Sequence, residues 1–214
     1  MLLTVGITAS AQEALDSRHT IVSPEIHDDN RVTFRLKTPD HVASVRVGSD
    51  CFSSGGADLK KNAEGIWEYT TPEPLPSELY SYFYVVDGMM MLDPSNVYIV
   101  RDVSTTMNIF IIGGGIGDLY KVNAVPHGTV SWVWYDSPSL QMKRRLSVYT
   151  PAGYDPGSKR KYPVLYLLHG MGGDEEAWLA LGRVAQLLHA GQPHGSDALL
   201  PHRRPALQRA AVHA

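Results

Sequence analysis

The sequence has one cysteine, Cys51, in 214 residues. That excludes an intrachain disulfide and any zinc site built from cysteines. It also has no excess of positive charge. Nineteen Lys and Arg stand against 22 Asp and Glu, a formal net charge of −3, so the basic face of a nucleic-acid binder is missing. No apolar run approaches the roughly 18 residues that cross a bilayer as a helix. With 43% hydrophobic and 19% charged residues, the chain can bury a core and is not of the disordered class. Neither a nucleic acid nor a membrane is expected as partner, and composition leaves the oligomeric state open. At roughly 150 residues per domain the length corresponds to about 1.4 domains, so a complete unit and part of a second are expected.

Basic residues are also missing from the N-terminus, where none precedes Arg18. The apolar start closes on Ala9-Ser10-Ala11, the small-x-small pattern that signal peptidase accepts. Residues 1–16 fit a remnant secretory signal of a secreted or periplasmic bacterial protein; the other reading is a frayed apolar terminus. At the opposite end, residues 187–214 contain no Lys, Glu, Asn, Ile, Tyr, Phe or Trp. The residues with AT-rich codons drop out at one point, as translation in a shifted frame would produce; a natural tail is the alternative. His189, His194, His202 and His213 follow one another at spacings of 5, 8 and 11, which do not share one face, so no metal site is expected there.

Between these ends, residues 17–112 carry short alternating segments at 31–37, 42–47, 65–70, 80–86, 97–100 and 108–112. Turn signals separate them, Asp87-Gly88 among them, and Pro72, Pro74, Pro76 and Pro94 fall between the segments, where a missing N–H does no harm. Strands of this length and spacing predict an antiparallel sandwich of roughly 100 residues. Ser23-Pro24-Glu25, Val32-Thr33-Phe34-Arg35-Leu36, Gly65-Ile66-Trp67-Glu68-Tyr69, Tyr82-Phe83-Tyr84-Val85-Val86-Asp87-Gly88 and Asp93-Pro94 stand in an order that resembles the early-set immunoglobulin-like modules of glycan-active enzymes, the family 48 carbohydrate-binding modules among them. The resemblance makes Trp67, Tyr69, Tyr82 and Tyr84 candidates for stacking on sugar rings. Core or cross-strand packing is the competing role for such aromatics.

Gly113-Gly114-Gly115-Ile116-Gly117 follows. Such a loop cradles phosphate only where it opens a helix, and Pro126 cuts any helix short, so residues 113–126 read as a linker. Residues 129–136 and 142–150 then read as strands around the turn Ser137-Pro138-Ser139. The run Tyr162-Pro163-Val164-Leu165-Tyr166-Leu167-Leu168-His169-Gly170 reads as a third strand, buried on both faces. After it come Gly172-Gly173 and a helix for which Asp174 is the expected N-cap, with acids in its first turn.

Val133-Trp134-Tyr135-Asp136-Ser137, Lys143-Arg144-Arg145-Leu146-Ser147-Val148-Tyr149-Thr150-Pro151, the 162–170 run, Gly172-Gly173 and Trp178 resemble the opening of a family 1 carbohydrate esterase. That family holds feruloyl and acetyl-xylan esterases on the α/β-hydrolase fold. The resemblance implies a mixed architecture, a β-sandwich followed by the N-terminal part of an α/β-hydrolase over residues 127–186. It implies a serine acyl-enzyme route without metal or organic cofactor, and plant xylan as the polymeric partner. It also casts the Met171 amide, with Gly172, as an oxyanion-hole donor; a plain strand-to-helix turn is the other reading. His169 is expected to pack or hydrogen-bond at the strand end, not to act as the base.

The nucleophile is absent. No serine in the 214 residues has glycine at both −2 and +2, and the family places the Gly-x-Ser-x-Gly elbow, the acid and the histidine beyond the glycine-rich turn. The expectation is therefore a C-terminally truncated esterase, inactive alone, with no catalytic triad. The alternative is a non-catalytic carbohydrate-binding sandwich.

Overall fold

The structure is a computed structural model and describes residues 21–102, 105–171, 173–180 and 182–190. The expected signal segment, residues 1–16, and residues 191–214 of the tail lie outside them. The chain is mostly β. A four-stranded antiparallel sheet has the order β1 (Glu25–Ile26), β2 (Val32–Lys37), β6 (Ile66–Thr70), β5 (Lys60–Lys61). A six-stranded sheet runs β4 (Gly56–Asp58), β3 (Val45–Ser49), β7 (Leu79–Val86), β10 (Thr105–Ile111), β9 (Ile99–Asp102), and β8 (Met89–Met91) also pairs with β7.

Period two explains how these sheets share one core. Val32, Phe34 and Leu36 of β2 meet Tyr80, Tyr82 and Tyr84 of β7 in a single buried cluster. The Phe34 ring lies 5.2 Å from Tyr82 and 5.7 Å from Phe110, tilted and edge-on, the geometry aromatic rings prefer. Each sheet covers the apolar face of the other.

The observed strands depart from the sequence pattern where side chains capture backbone groups. The segment expected at 42–47 begins at Val45, because the Asp87 carboxylate accepts the amides of Ala43 and Ser44 at 3.1 and 2.8 Å. The segment expected at 97–100 begins at Ile99, since Asn96 Oδ1 accepts the Tyr98 amide at 2.9 Å. Asp87 and Gly88 have φ of 46° and 87°, the positive pair of a two-residue hairpin turn, and Val86 pairs with Met89 across it.

The glycine-rich run does open a helix, a short 3₁₀ turn at Ile116–Tyr120. The amides just ahead of it are bonded within the run. Asp118 Oδ2 accepts from Gly114 N and Gly115 N at 3.0 and 3.2 Å. A Cβ at Gly117 would lie 2.0 Å from the Ile112 carbonyl oxygen, so glycine lets this turn press against the end of β10.

Beyond it, β11 (Thr129–Ser137) and β12 (Met142–Thr150) form an antiparallel hairpin with Trp134 opposite Arg145. Two short helices come next, α1 (Ala177–Ala180) and α2 (Val184–Ala190). The expected third strand is not formed. Residues 162–170 have no ladder partner among the described residues, and Tyr166 is 83% exposed. A strand buried on both faces needs neighbours at both edges. Among the described residues only the hairpin stands nearby in sequence, and its strands pair with each other.

A buried polar cluster crosses the apolar core. Asp93 Oδ2 accepts from Ser23 Oγ at 2.5 Å, Tyr82 OH at 3.0 Å and Tyr84 OH at 3.3 Å. Asp93 Oδ1 accepts the Ser95 amide at 2.8 Å, while the Asp93 amide donates to Asn108 Oδ1 at 2.7 Å. These donors are neutral, and burial pushes the carboxyl above its ordinary 3.8. Asp93→Ala leaves several buried donors without their acceptor, each at about 1–3 kcal/mol. Because Ser23 and Tyr84 also bond one another, the net loss expected in urea denaturation is about 3 kcal/mol, against about 1 kcal/mol for Tyr84→Phe. The pH dependence is set by the sign of the shift. The native state holds the Asp93 proton more tightly than the unfolded state, so from pH 3.8 until the raised native value is passed, ionisation removes stability as pH rises. The stability of wild type relative to Asp93→Asn is expected to fall across that range; a rising difference contradicts the assignment.

Candidate functional site

The aromatic residues proposed for sugar stacking lie mainly in the core. Tyr82 and Tyr84 are 0% exposed and Trp67 is 8% exposed, its Nε1 donating to Thr38 Oγ1 at 3.0 Å. Tyr69 is half-buried, edge-on to Phe52 at 5.7 Å. A buried ring has no free face for a pyranose, which corrects the stacking assignment for Trp67, Tyr82 and Tyr84. Their alternation marks the inner face of the strands. The most exposed indoles are Trp132 and Trp134 on β11.

The other proposed site is the turn after residue 168. Gly173 N donates to the Gly170 carbonyl at 3.1 Å, closing the turn, and Met171 stands fully exposed at its tip. Gly172 lies outside the described residues. His169 Nδ1 is 2.8 Å from the Gly170 carbonyl oxygen. A carbonyl only accepts, so Nδ1 carries the proton in this contact. Trp178 of α1 reaches back, its Nε1 donating to the Leu168 carbonyl at 3.0 Å.

The residues after the turn are held from two sides. Asp174 caps the chain locally: its Oδ1 accepts the Glu176 amide at 3.0 Å and its carbonyl accepts the Ala177 amide at 3.2 Å. Its Oδ2 pairs with Arg101 of β9. The Glu176 amide, then Arg101, hold the Asp174 carboxyl below its ordinary value. From the hairpin, Arg145 forks to Glu175 Oε1 and Glu176 Oε1, both at 2.5 Å. Its guanidinium lies 5.8 and 5.7 Å from the rings of Trp132 and Trp134. Ser147 Oγ adds a bond to the Glu175 carbonyl at 3.2 Å. The Glu175 carboxyl is lowered by its own backbone amide first and by Arg145 second. Asp174 and Glu175, held low in this way, stay ionised and are poor general acids; their role is to anchor the chain.

Sequence reasoning does not join Arg145 to the acids at 174–176. The register that sets Arg145 beside the indoles is available from the hairpin pattern, but the approach of residues 174–176 is not. Among the described residues, no three His, Cys, Asp or Glu side chains are grouped to hold a metal ion. The tail histidines His194, His202 and His213 lie outside the described residues, as does the His189 side chain.

Residues 137–198 match the protein-family model described as "Putative esterase". An endo-1,4-beta-xylanase/feruloyl esterase of Xylanibacter ruminicola is 29% identical over 169 residues, 77% of this chain and 23% of that protein. The chain thus spans about a quarter of the length of the curated relative it matches. Both findings support an esterase-like function. Among solved structures, the pullulanase of Anoxybacillus sp. LM18-11 with maltotetraose aligns at 21% identity and TM-score 0.30, covering 49% of this chain and 15% of its own. The apo pullulanase of Paenibacillus barengoltzii aligns at 19% identity and TM-score 0.29, covering 47% and 17%. Scores this low carry no argument about shared fold.

Arg145→Ala removes the fork and the cation over both indoles. Cleavage by a Glu-specific protease after Glu175 and Glu176 is expected to accelerate roughly threefold, the scale of partly exposed ion pairs. Arg145→Lys, which keeps charge but not the planar fork, is expected to fall between. Unchanged cleavage in Arg145→Ala contradicts the anchoring role.

Proposed function

We propose that this chain carries the leading part of a serine carboxylesterase of carbohydrate esterase family 1, acting on feruloyl or acetyl esters of plant xylan. The observation that carries the reading is the esterase-family match over residues 137–198, which contains the whole His169-to-Gly173 turn. The relative's printed activity, endo-1,4-beta-xylanase/feruloyl esterase, supports the substrate class. In this reading the β-rich residues 17–112 are an early-set, immunoglobulin-like accessory module and residues 127–186 begin the α/β-hydrolase domain. The protein is exported, to the periplasm or the medium, where its polymeric substrate lies.

The chemistry rests on the backbone of the turn. Ester hydrolysis develops a negative oxygen, and preorganised backbone N–H groups stabilise it. The Met171 amide, with Gly172, would supply one such donor from a solvent-facing turn. The nucleophile, its base and the acid are not supplied by a Gly-x-Ser-x-Gly elbow in these 214 residues, so the chain alone is assigned no turnover. The non-catalytic sugar-binding alternative loses support, because Trp67, Tyr82 and Tyr84 are buried.

A chimera tests the reading: residues 1–186 continued by the part of the Xylanibacter relative that lies beyond its matched region. It is expected to release ferulate from methyl ferulate, or p-nitrophenol from its acetate, and to be labelled by a fluorophosphonate. The unmodified chain is expected to do neither. A folded chimera inert toward both esters overturns the esterase reading, and serine-dependent turnover by the unmodified chain overturns its inactivity.

A further inference from the structure

The ion pair between Arg101 and Asp174 joins residues 73 positions apart. Arg101 lies on β9, at the edge of the six-stranded sheet, and Asp174 directly follows the glycine-rich turn. The two side chains are 50% and 36% exposed. A lone pair so exposed contributes little. This one is not alone. Asp174 uses its other oxygen to accept the Glu176 amide, so its carboxylate links the chain start of α1 to β9. Arg145 holds the next two residues from the opposite side. Arg183 Nε donates to the Tyr120 carbonyl at 2.8 Å, tying the start of α2 to the 3₁₀ turn. Arg101 of β9 and Arg145 of the hairpin thus hold Asp174, Glu175 and Glu176 from two sides, while Arg183 ties the start of α2 to the 3₁₀ turn. Networks of this kind hold geometry where single exposed pairs do not.

We propose that Arg101 is a positioning residue: through Asp174, the β-rich unit holds the residues that follow the His169-Gly170-Met171 turn in their working geometry. The inference deepens the esterase reading and rests on it for the purpose of that geometry. It gives the unit in front a second task besides any contact with polymer. An oxyanion donor misplaced by about 1 Å loses much of its effect on rate, so a unit that braces the chain beside that donor bears on turnover. Removing the β-rich unit, or only its Arg101, loosens the turn even on a small soluble ester.

Hydrogen exchange of the whole chain tests the contact without requiring activity. The amides of Gly173, Glu176 and Ala177 are bonded within this segment and report on it. Arg101→Gln is expected to speed their exchange about threefold, the scale of such a pair, with the urea midpoint unchanged. Arg101→Lys is expected to restore most of the protection. Asp174→Asn keeps an acceptor for the Glu176 amide but removes the charge; in that background Arg101→Gln is expected to add nothing. Wild-type exchange in Arg101→Gln, or the same increment in both backgrounds, overturns the contact. In the chimera, Arg101→Gln is expected to lower kcat with KM unchanged; unchanged kcat overturns the positioning role. A chimera inert in wild-type form while the exchange pattern holds overturns the esterase reading and leaves the contact standing.

Discussion

The carboxylate of Asp93 fixes the register of strands that the apolar core already brings together. It sits 2% exposed in the core and takes hydroxyls from Ser23, ahead of β1, and from Tyr82 and Tyr84 on β7. Its own amide is fixed by Asn108 of β10. The Tyr84 hydroxyl also lies 3.1 Å from the Arg35 carbonyl of β2, sharing its one proton between that oxygen and Asp93, so the cluster spans both sheets. Aromatic packing alone would tolerate sliding of one sheet over the other, since apolar contacts have no direction. A buried carboxylate accepting several directed bonds does not tolerate it, because each displaced donor is left unpaired in a medium that cannot solvate it.

That registered pair of sheets is the platform for the C-terminal half of the chain. The Gly113-to-Gly117 run leaves β10, and its amides close on Asp118 while Gly117 passes against the Ile112 carbonyl. The resulting short helix is held by Asp118 at Gly114 and Gly115 and by Ser77 Oγ at the Gly117 amide. It presents the Tyr120 carbonyl to Arg183, and β9 presents Arg101 to Asp174. The second segment has few apolar contacts of its own among the described residues. The groups that order it are mainly charged: Arg101 and Arg145 reach the acids at 174–176, and Arg183 reaches the Tyr120 carbonyl.

Much of the β-fold was legible from period and turn chemistry. The hairpin strands at 129–137 and 142–150 arise from alternation on either side of Ser137-Pro138-Ser139, and β2, β6 and β7 lie within a residue of where their patterns begin. Two strand starts moved because a side chain had captured the backbone, as Asp87 does at Ala43 and Ser44, whereas β10 starts three residues early, at Thr105, where it pairs with β9. Strands β1, β4, β5 and β8 have two or three residues each, too few for alternation to register. The candidate site was legible only in part. The glycine-rich turn is local and readable; Asp174 does bond the Glu176 amide, but the helix starts only at Ala177 and has no acid in its first turn, so the expected N-cap position is corrected. The aromatics were readable as strand residues but not as to face, and period two alone does not say which face is covered.

The sequence by itself determined the β-rich character, the hairpin, the tight turn at Asp87-Gly88 and the glycine-rich turn beside Asp174. Each depends on residues within a few positions of one another, where propensity and sterics act without help. Tertiary structure alone decided that Trp67, Tyr82 and Tyr84 line a core and that residues 162–170 form no strand among the described residues. It alone brought Arg101 and Arg145 to the acids at 174–176. Burial, ladder pairing and ion pairing all need a partner from elsewhere in the chain, and that partner's arrival is fixed by the packing of whole elements.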